Sequence, residues 1–439
     1  MKAYEEYQDS CVEWIGDIPK GWNIMKFKFI SELFTGNSIS DDDKENYTNI
    51  NDGYSYISTK DLDVESQQID YENGMVIPFS SKKFKKAQTN TILLCIEGGS
   101  AGKKIAYTDS TVCFGNKLCC IKTNSKAENK YLFYFCNSDR FTSPFNYNMN
   151  GLIGGVSTSA LTNFIAILPP LPIQTAIVSY LDCKTAKIDE IISDKRKFIT
   201  LLKEKRQSII SESITKGLDK GMLMKNSAVD WIGDVPSHWD IKKMKWMFEI
   251  AKRLYYKEDR DVLSITQNGL KVKNIEANDG QLAQSYVGYQ IVNIKDFAMN
   301  SMDLLTGYVD CSVFEGVTSP DYRVFRFIPN KIQSHHYYKY LFQMCYTDRI
   351  FYGFGQGVSN LGRWRLQTDV LLNFLLPQPS LEEQVAIADY LDHKTARIDN
   401  IIENITTQIE KLKEYRQCII SEVVTGKAMV ENLSQGGLS

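Results

Sequence analysis

The sequence predicts an α+β protein: two globular α/β domains joined by two long helices that form an antiparallel coiled coil, built on a pseudo-twofold internal repeat. Three observations predict it. The stretch VEWIGDIPKGW at Val12–Trp22 returns as VDWIGDVPSHW at Val229–Trp239, 217 positions later. A longer block beginning at Ile173 returns from Glu383, a constant offset of 210. Both copies of that block place apolar residues seven apart, the spacing of a coiled-coil seam. At 439 residues the chain exceeds one ordinary core. We expect globular regions at 1–168 and 223–376, each opening on the short motif, and helical regions at 169–222 and 377–439.

The short motif comes first in each half. Its Trp, Pro and Gly content suits a rigid packed lead-in, with Trp14 and Trp231 in a core and Gly16 and Gly233 in a turn. The regions that follow, about 23–166 and 240–374, show little likeness to each other, yet both mix short β-rich runs with turns. TNTILLCIEGG, KIAYTD and KLCCIKTN occur in the first; DVLSITQNG, QIVNIKDFAMN and DYRVFRFIP occur in the second. Duplication with divergent middles implies one scaffold carrying two different readers or sites.

The shared blocks carry helix chemistry. Prolines at 169, 170, 172, 377 and 379 keep the preceding chain out of helix. Ser380-Leu381-Glu382-Glu383 is an S-x-x-E capping box, Ser380 accepting from the backbone N–H of Glu383 and the Glu383 side chain reaching back. The seam residues are Leu181, Ile188, Leu202 and Ile209, with Lys195 interrupting, and Leu391, Ile398, Ile405, Leu412 and Ile419. Ile191, Phe198, Ile401 and Tyr415 are the expected second row. Because 210 is a multiple of seven the two registers coincide. Each stripe runs about 35 residues, or ~50 Å of helix, more than one globular face needs, so the helices are expected to pair with each other, antiparallel if the halves are related by a twofold.

Composition excludes several classes. No run of about 18 apolar residues exists, and MKAYEEYQDS lacks the apolar core of a signal peptide, so no membrane contact and a cytoplasmic location are expected. Ten scattered cysteines, none in C-x-x-C, read as reduced and mostly buried thiols. Four histidines without ligand spacing give no metal site. A net charge of −2 decides nothing about nucleic acid, because the placement of charges matters more than their sum.

Local basic clusters supply the candidates for DNA contact: Lys82, Lys83, Lys85 and Lys86, then Lys103 and Lys104, in the first region; Lys242, Lys243 and Lys245, then Arg363 and Arg365 around Trp364, in the second. Lys252-Arg253 forms a further pair. Such residues beside Asn, Gln, Ser and aromatics suit phosphate anchoring and base-edge hydrogen bonding, although a charge run is ordinarily a solvated face. Catalytic motifs fail on inspection. GGSAGKK at Gly98–Lys104 lacks the first Gly of a P-loop and has Lys where Ser or Thr should hold magnesium. FYGFGQG at Phe351–Gly357 has the F-x-G-x-G of adenine methyltransferases without their D/N-P-P-Y/F companion, so Gly353, Gly355 and Gly357 read as a closely packed turn. Ser319-Pro320-Asp321 has no D/E-x-K partner. No catalytic centre is expected, and no cofactor in this chain.

With these motifs in place the chain resembles, over essentially its whole length, the specificity subunit of type I restriction-modification systems. The resemblance rests on W-I-G-x-[IV]-P-x-x-W at Trp14–Trp22 and Trp231–Trp239 and on LPQPSLEEQVAIADYLDHKTARID at Leu376–Asp399. The first copy, LPPLPIQTAIVSYLDCKTAKID, is two residues shorter before Gln174 and has Ile173 where the family has Glu. EGGSAGKKIAY, GVTSPDYRVFR and GVSNLGRW are similar to smaller family turns. The resemblance implies two target recognition domains, each reading one half of a split double-stranded DNA sequence, with helices acting as a spacer. It also implies two methyltransferase subunits and motor-nuclease subunits as partners, which hold the S-adenosylmethionine, ATP and magnesium. Half-sites on one face of B-DNA would then lie about one helical turn, ~34 Å, apart. The rival readings are a catalytically inert scaffold with two protein-binding domains and an enzyme with unrecognised motifs.

Overall fold

The computed structural model describes residues 3–430 apart from 49, 51, 150–153, 275–282, 284 and 358–363. Four helices organise the described chain: α1 (Asn129–Cys136), α2 (Leu171–Lys216), α3 (His335–Thr347) and α4 (Leu381–Val424). The chain divides into two compact units, Met1–Arg196 with Thr406–Ser439, and Lys197–Ile405. Each unit therefore holds one globular region and a piece of each long helix.

In the first unit, strands Ser31–Thr35, Leu118–Thr123, Ile92–Cys95 and Ile105–Tyr107 form an antiparallel sheet in that order. A second sheet runs Val76–Pro78, Gly53–Ile57, Val112–Phe114 and Lys86–Ala87, with a parallel pairing in its middle. The core between them includes Ile57, Ala87, Leu93, Phe114 and Cys120, all fully buried. In the second unit, Phe248–Ile250, Arg323–Phe327, Phe297–Met299 and Val309–Cys311 repeat the first of these strand orders. The divergent middles thus share a sheet that their sequences hide, because a half-buried strand needs only alternating apolar residues and not particular ones.

The short motif forms a hairpin in each unit, Tyr7–Asp9 with Asp17–Pro19 and Met224–Asn226 with Asp234–Pro236. Gly16 and Gly233 take φ of +74° and +68° at its turn, as a backbone in the left-handed region favours. The expected core tryptophans are corrected here: Trp14 is 40% exposed and Trp231 only half-buried, stacked on Phe374. The deeply buried ring of each copy is the later one, Trp22 or Trp239. Each of those rings sits at the C-terminal end of a long helix. Gly426, just past α4, lies with its Cα hydrogen side against Pro19 and Trp22, and Gly217, just past α2, against Trp239 and Pro236. Both have φ of +74°, the left-handed C-terminal cap that Gly supplies at least cost.

The helix pieces run antiparallel within each unit. In the first, Arg416 reaches Asp189 at 3.0 Å and Lys195 reaches Gln408 at 2.6 Å, so the partner number falls as the α2 number rises. In the second, Arg206 reaches Asp399 at 2.9 Å, the same pair displaced by the repeat offset. Leu181, Ile188, Leu391, Ile398, Ile405 and Ile419 are buried, and Leu202, Ile209 and Leu412 are half-buried. The second row departs from expectation. Ile191, Phe198 and Tyr415 are 45%, 50% and 56% exposed, and Ile401 is half-buried. Three inward positions come one residue later, at Ile192, Ile199 and Arg416, while Ile402 is half-buried like Ile401. A heptad alternates steps of three and four, and which step comes first depends on the facing helix.

Candidate nucleic-acid interface

The globular regions are fixed to the helices through tyrosines. Tyr134 of α1 donates to Asp182 at 2.6 Å and Tyr131 to the Val424 carbonyl at 3.1 Å. In the other unit Tyr340 of α3 donates to Asp392 at 2.7 Å and Tyr337 to the Ile214 carbonyl at 3.0 Å. Burial, reinforced by the acceptor carboxylates, raises the phenol of Tyr340 to about 12 and that of Tyr134 further, so both remain donors at any ordinary pH. Gln174 is wholly buried, accepting from the Glu128 N–H at 2.8 Å and donating to the Pro169 carbonyl at 2.8 Å. Gln384 does the same with the Ser334 N–H and the Pro379 carbonyl. Each repeated polar residue among Asp182, Thr185, Asp189 and Arg206, and their counterparts at 392, 395, 399 and 416, is thereby a fastening point or a buried seam position.

The capping box closes as expected. Glu383 accepts from the Ser380 N–H at 3.0 Å and the Ser380 hydroxyl accepts from the Glu383 N–H at 3.3 Å. The carboxylate also accepts from Trp239 Nε1 at 3.0 Å and contacts His238 Nε2 at 2.8 Å, tying the lead-in to the start of α4. Burial pushes this carboxyl up, but the bonds from Trp239, His238 and Ser380 outweigh it and hold it at about 2. In the first copy Pro170 and Ile173 occupy the equivalent places, so that helix begins without a box.

The candidate DNA contacts fall as follows. Lys82, Lys83 and Lys85 are exposed and Lys86 half-buried, with Lys83, Lys85 and Lys86 lying over the rings of Phe84, Phe34 and Tyr54. Lys103 is exposed, whereas Lys104 is half-buried and donates to the Thr59 carbonyl at 2.7 Å. The Lys85 N–H donates to Asn37 Oδ1 at 2.8 Å, and Asn37 also accepts from Tyr56 through its carbonyl at 2.7 Å. In the other unit Lys242, Lys243 and Lys245 are exposed along Asp240–Lys243 and the following turn, Lys242 pairing with Asp240 at 3.2 Å and Lys245 beside the exposed Trp246. Arg253 is half-buried and ion-paired with Asp296, so its charge is already engaged within the domain.

Arg365 is exposed beside Gln356, to which its backbone is paired, and Arg363 with most of GVSNLGRW lies outside the described residues. Gln367 donates to Gln356 at 2.7 Å, and Arg323 donates to Thr368 at 2.9 Å. Burial, and then the neighbouring charge of Arg365, lower the pKa of Arg323. Arg323 was not among the sequence candidates: it lies over 40 positions before Arg365 and Thr368, and only the fold brings it beside them.

The look-alike motifs resolve into turns. Gly102 accommodates Phe145, which a Cβ would meet at 2.6 Å, and Gly98 accepts from the Ala101 N–H, so GGSAGKK is a packed turn. Gly355 and Gly357 lie against Leu304 and Trp364, but Gly353 faces open space, which corrects the expectation that all three pack closely. Among the described residues no group of three His, Cys, Asp or Glu side chains is placed to hold a metal, and no helix is long and apolar enough to cross a membrane.

Comparison with known proteins fits this geometry. The type I restriction modification DNA specificity domain matches residues 19–201 and again 236–411. The chain is 24% identical to the type I restriction enzyme MjaVIII specificity subunit of Methanocaldococcus jannaschii, covering 95% of each. It is 21% identical to the EcoBI specificity subunit of Escherichia coli, over 71% of this chain and 68% of that one. In fold it is similar to a chain from a structure concerned with complex assembly and conformational transition of a type I R-M system, with a TM-score of 0.68 and 15% identity, covering 94% of this chain and 99% of that one.

Proposed function

Because the chain belongs to the type I restriction-modification DNA specificity family, we propose that it recognises a bipartite double-stranded DNA target with an unread spacer and directs adenine methylation and restriction by partner subunits. It is the specificity subunit of such a system and not itself the catalyst. The carrying observation is the double family match, 19–201 and 236–411, each match taking in most of one globular region and the greater part of one long helix.

In this reading 1–168 and 223–376 are the two target recognition domains, and 169–222 and 377–439 are the spacer. Tyr134, Tyr340 and their acceptors support it, since a reader must be held rigidly if base contacts are to discriminate. The surface lysines supply salt-dependent affinity and the Asn, Gln and Arg side chains supply discrimination of about 1–3 kcal/mol per good bidentate pair. Two modification subunits and the restriction subunits carry S-adenosylmethionine, ATP and magnesium, in the cytoplasm. The test is methylome sequencing of the host with and without the gene. Loss of adenine methylation at one split motif is the expected result; an unchanged methylome sinks the proposal in favour of an inert scaffold.

A further inference from the structure

One groove of the first unit has a built floor and a uniform charge. It has a volume of about 320 Å³ and is lined by Ser38, Tyr56, Lys44, Lys60, Asn116 and Lys117, with no carboxylate among its lining residues. Lys60 and Lys117 are exposed and belong to none of the clusters visible in the sequence. Lys44 pairs with Asp41, whose side chain is 91% exposed, an i,i+3 contact that solvent makes weak and that a phosphate can displace.

The walls are fixed. Asp61 accepts from both the N–H and the hydroxyl of Ser58, which locks the turn carrying Lys60, and Lys104 holds the same turn through Thr59. The Gly115 N–H donates to the Ile57 carbonyl at 2.8 Å, which locks the turn carrying Asn116 and Lys117. Gly36 allows the segment that follows the strand Ser31–Thr35, bearing Asn37 and Ser38, to lie directly on Phe114, where a Cβ would meet the carbonyl oxygen at an impossible 1.9 Å. Asn116 is exposed, and its amide has no hydrogen-bond partner among the described residues. An exposed amide between cations on a rigid turn has the donor and acceptor that match the major-groove edge of adenine.

We infer that this groove carries the DNA backbone of one half-site, with Lys44, Lys60 and Lys117 on phosphates and Asn116 on an adenine edge. The inference rests on the specificity reading above and names the residues by which the first domain performs it. Lys104 and, through its backbone, Lys85 shape the walls; Lys60 and Lys117 make the contacts.

The test uses the full-length chain, titrated with a mixed-sequence DNA duplex over a range of salt and then used to select from a pool of randomised duplexes. K60A/K117A should weaken mixed-sequence binding about tenfold and lower the slope of log affinity against log salt by about 2, while K60R/K117R stays within about twofold of the parent. N116A should keep mixed-sequence affinity within about twofold and blur an adenine in one selected half-site, leaving the other half-site intact. If the parent selects a bipartite motif but K60A/K117A binds and selects as it does, the groove is overturned while the specificity reading stands. If N116A selects both half-sites unchanged, the assignment of Asn116 is overturned. If the parent selects no sequence and binds no duplex, the specificity reading fails and the groove with it.

Discussion

Arg416 places its guanidinium 3.0 Å from Asp189, and Arg206 stands 2.9 Å from Asp399. Arginine and aspartate here are the same two positions of the repeated block, each Arg reaching the Asp of the other copy. The stem of Arg416 lies in the seam, its side chain 14% exposed, while Asp189 is 47% exposed. Removing the arginine should therefore cost more than removing the aspartate, because packing is lost with the charge. In a double-mutant cycle of R416A and D189A, read from urea midpoints, we expect a coupling below about 1 kcal/mol and a larger loss for R416A. Equal losses would refute the seam role.

The glycines that end the long helices should rank in a definite order. A Cβ on Gly426 would meet the Pro19 ring at 2.4 Å, and one on Gly217 would meet Trp239 at 3.2 Å. Both also need a left-handed backbone, so G217A should cost about 1 kcal/mol and G426A distinctly more. Thermal melting of the two variants checks the order.

Glu383 gives a pH signature. Its carboxyl is held at about 2 in the folded chain, below its ordinary value. A depressed carboxyl contributes stability that is complete above the unfolded pKa, near 4.5, and is lost as pH falls through the folded value toward 2. With the side chain 34% exposed, solvent screening leaves about 1–2 kcal/mol. E383Q should melt lower than the parent at pH 6, and the gap should narrow as pH is lowered from 4.5. A gap that does not change with pH would show that the carboxylate is not the cause.

Y134F and Y340F remove the donors to Asp182 and Asp392. Each should destabilise its unit by about 1 kcal/mol, since a charge-assisted bond to a partly exposed carboxylate is lost. Each should also degrade selection at one half-site and spare the other, a split that selection from randomised duplexes would reveal.

Under the spacer reading, one extra heptad in each long helix adds about 10.5 Å of helix and should lengthen the unread gap by about 3 base pairs, with both half-sites unchanged. Altered half-sites in the methylome of such a variant would defeat the ruler model.

The repeat, the helical nature of the shared blocks, the capping box at Ser380 and Glu383 and the first seam row could all be read from the chain, because each is a local rule of spacing or of adjacent residue types. Tertiary structure decided what depends on a facing surface. It selected Ile192 over Ile191 and Trp22 over Trp14, where sequence offers two apolar neighbours and only the partner face determines which one is buried. It also paired Arg253 with Asp296, put Lys104 to work on a carbonyl, and brought Lys44, Lys60 and Lys117 to one groove across more than 70 positions. Charge proximity is a property of folded distance, and strand pairing sets it without leaving a periodic trace in the sequence.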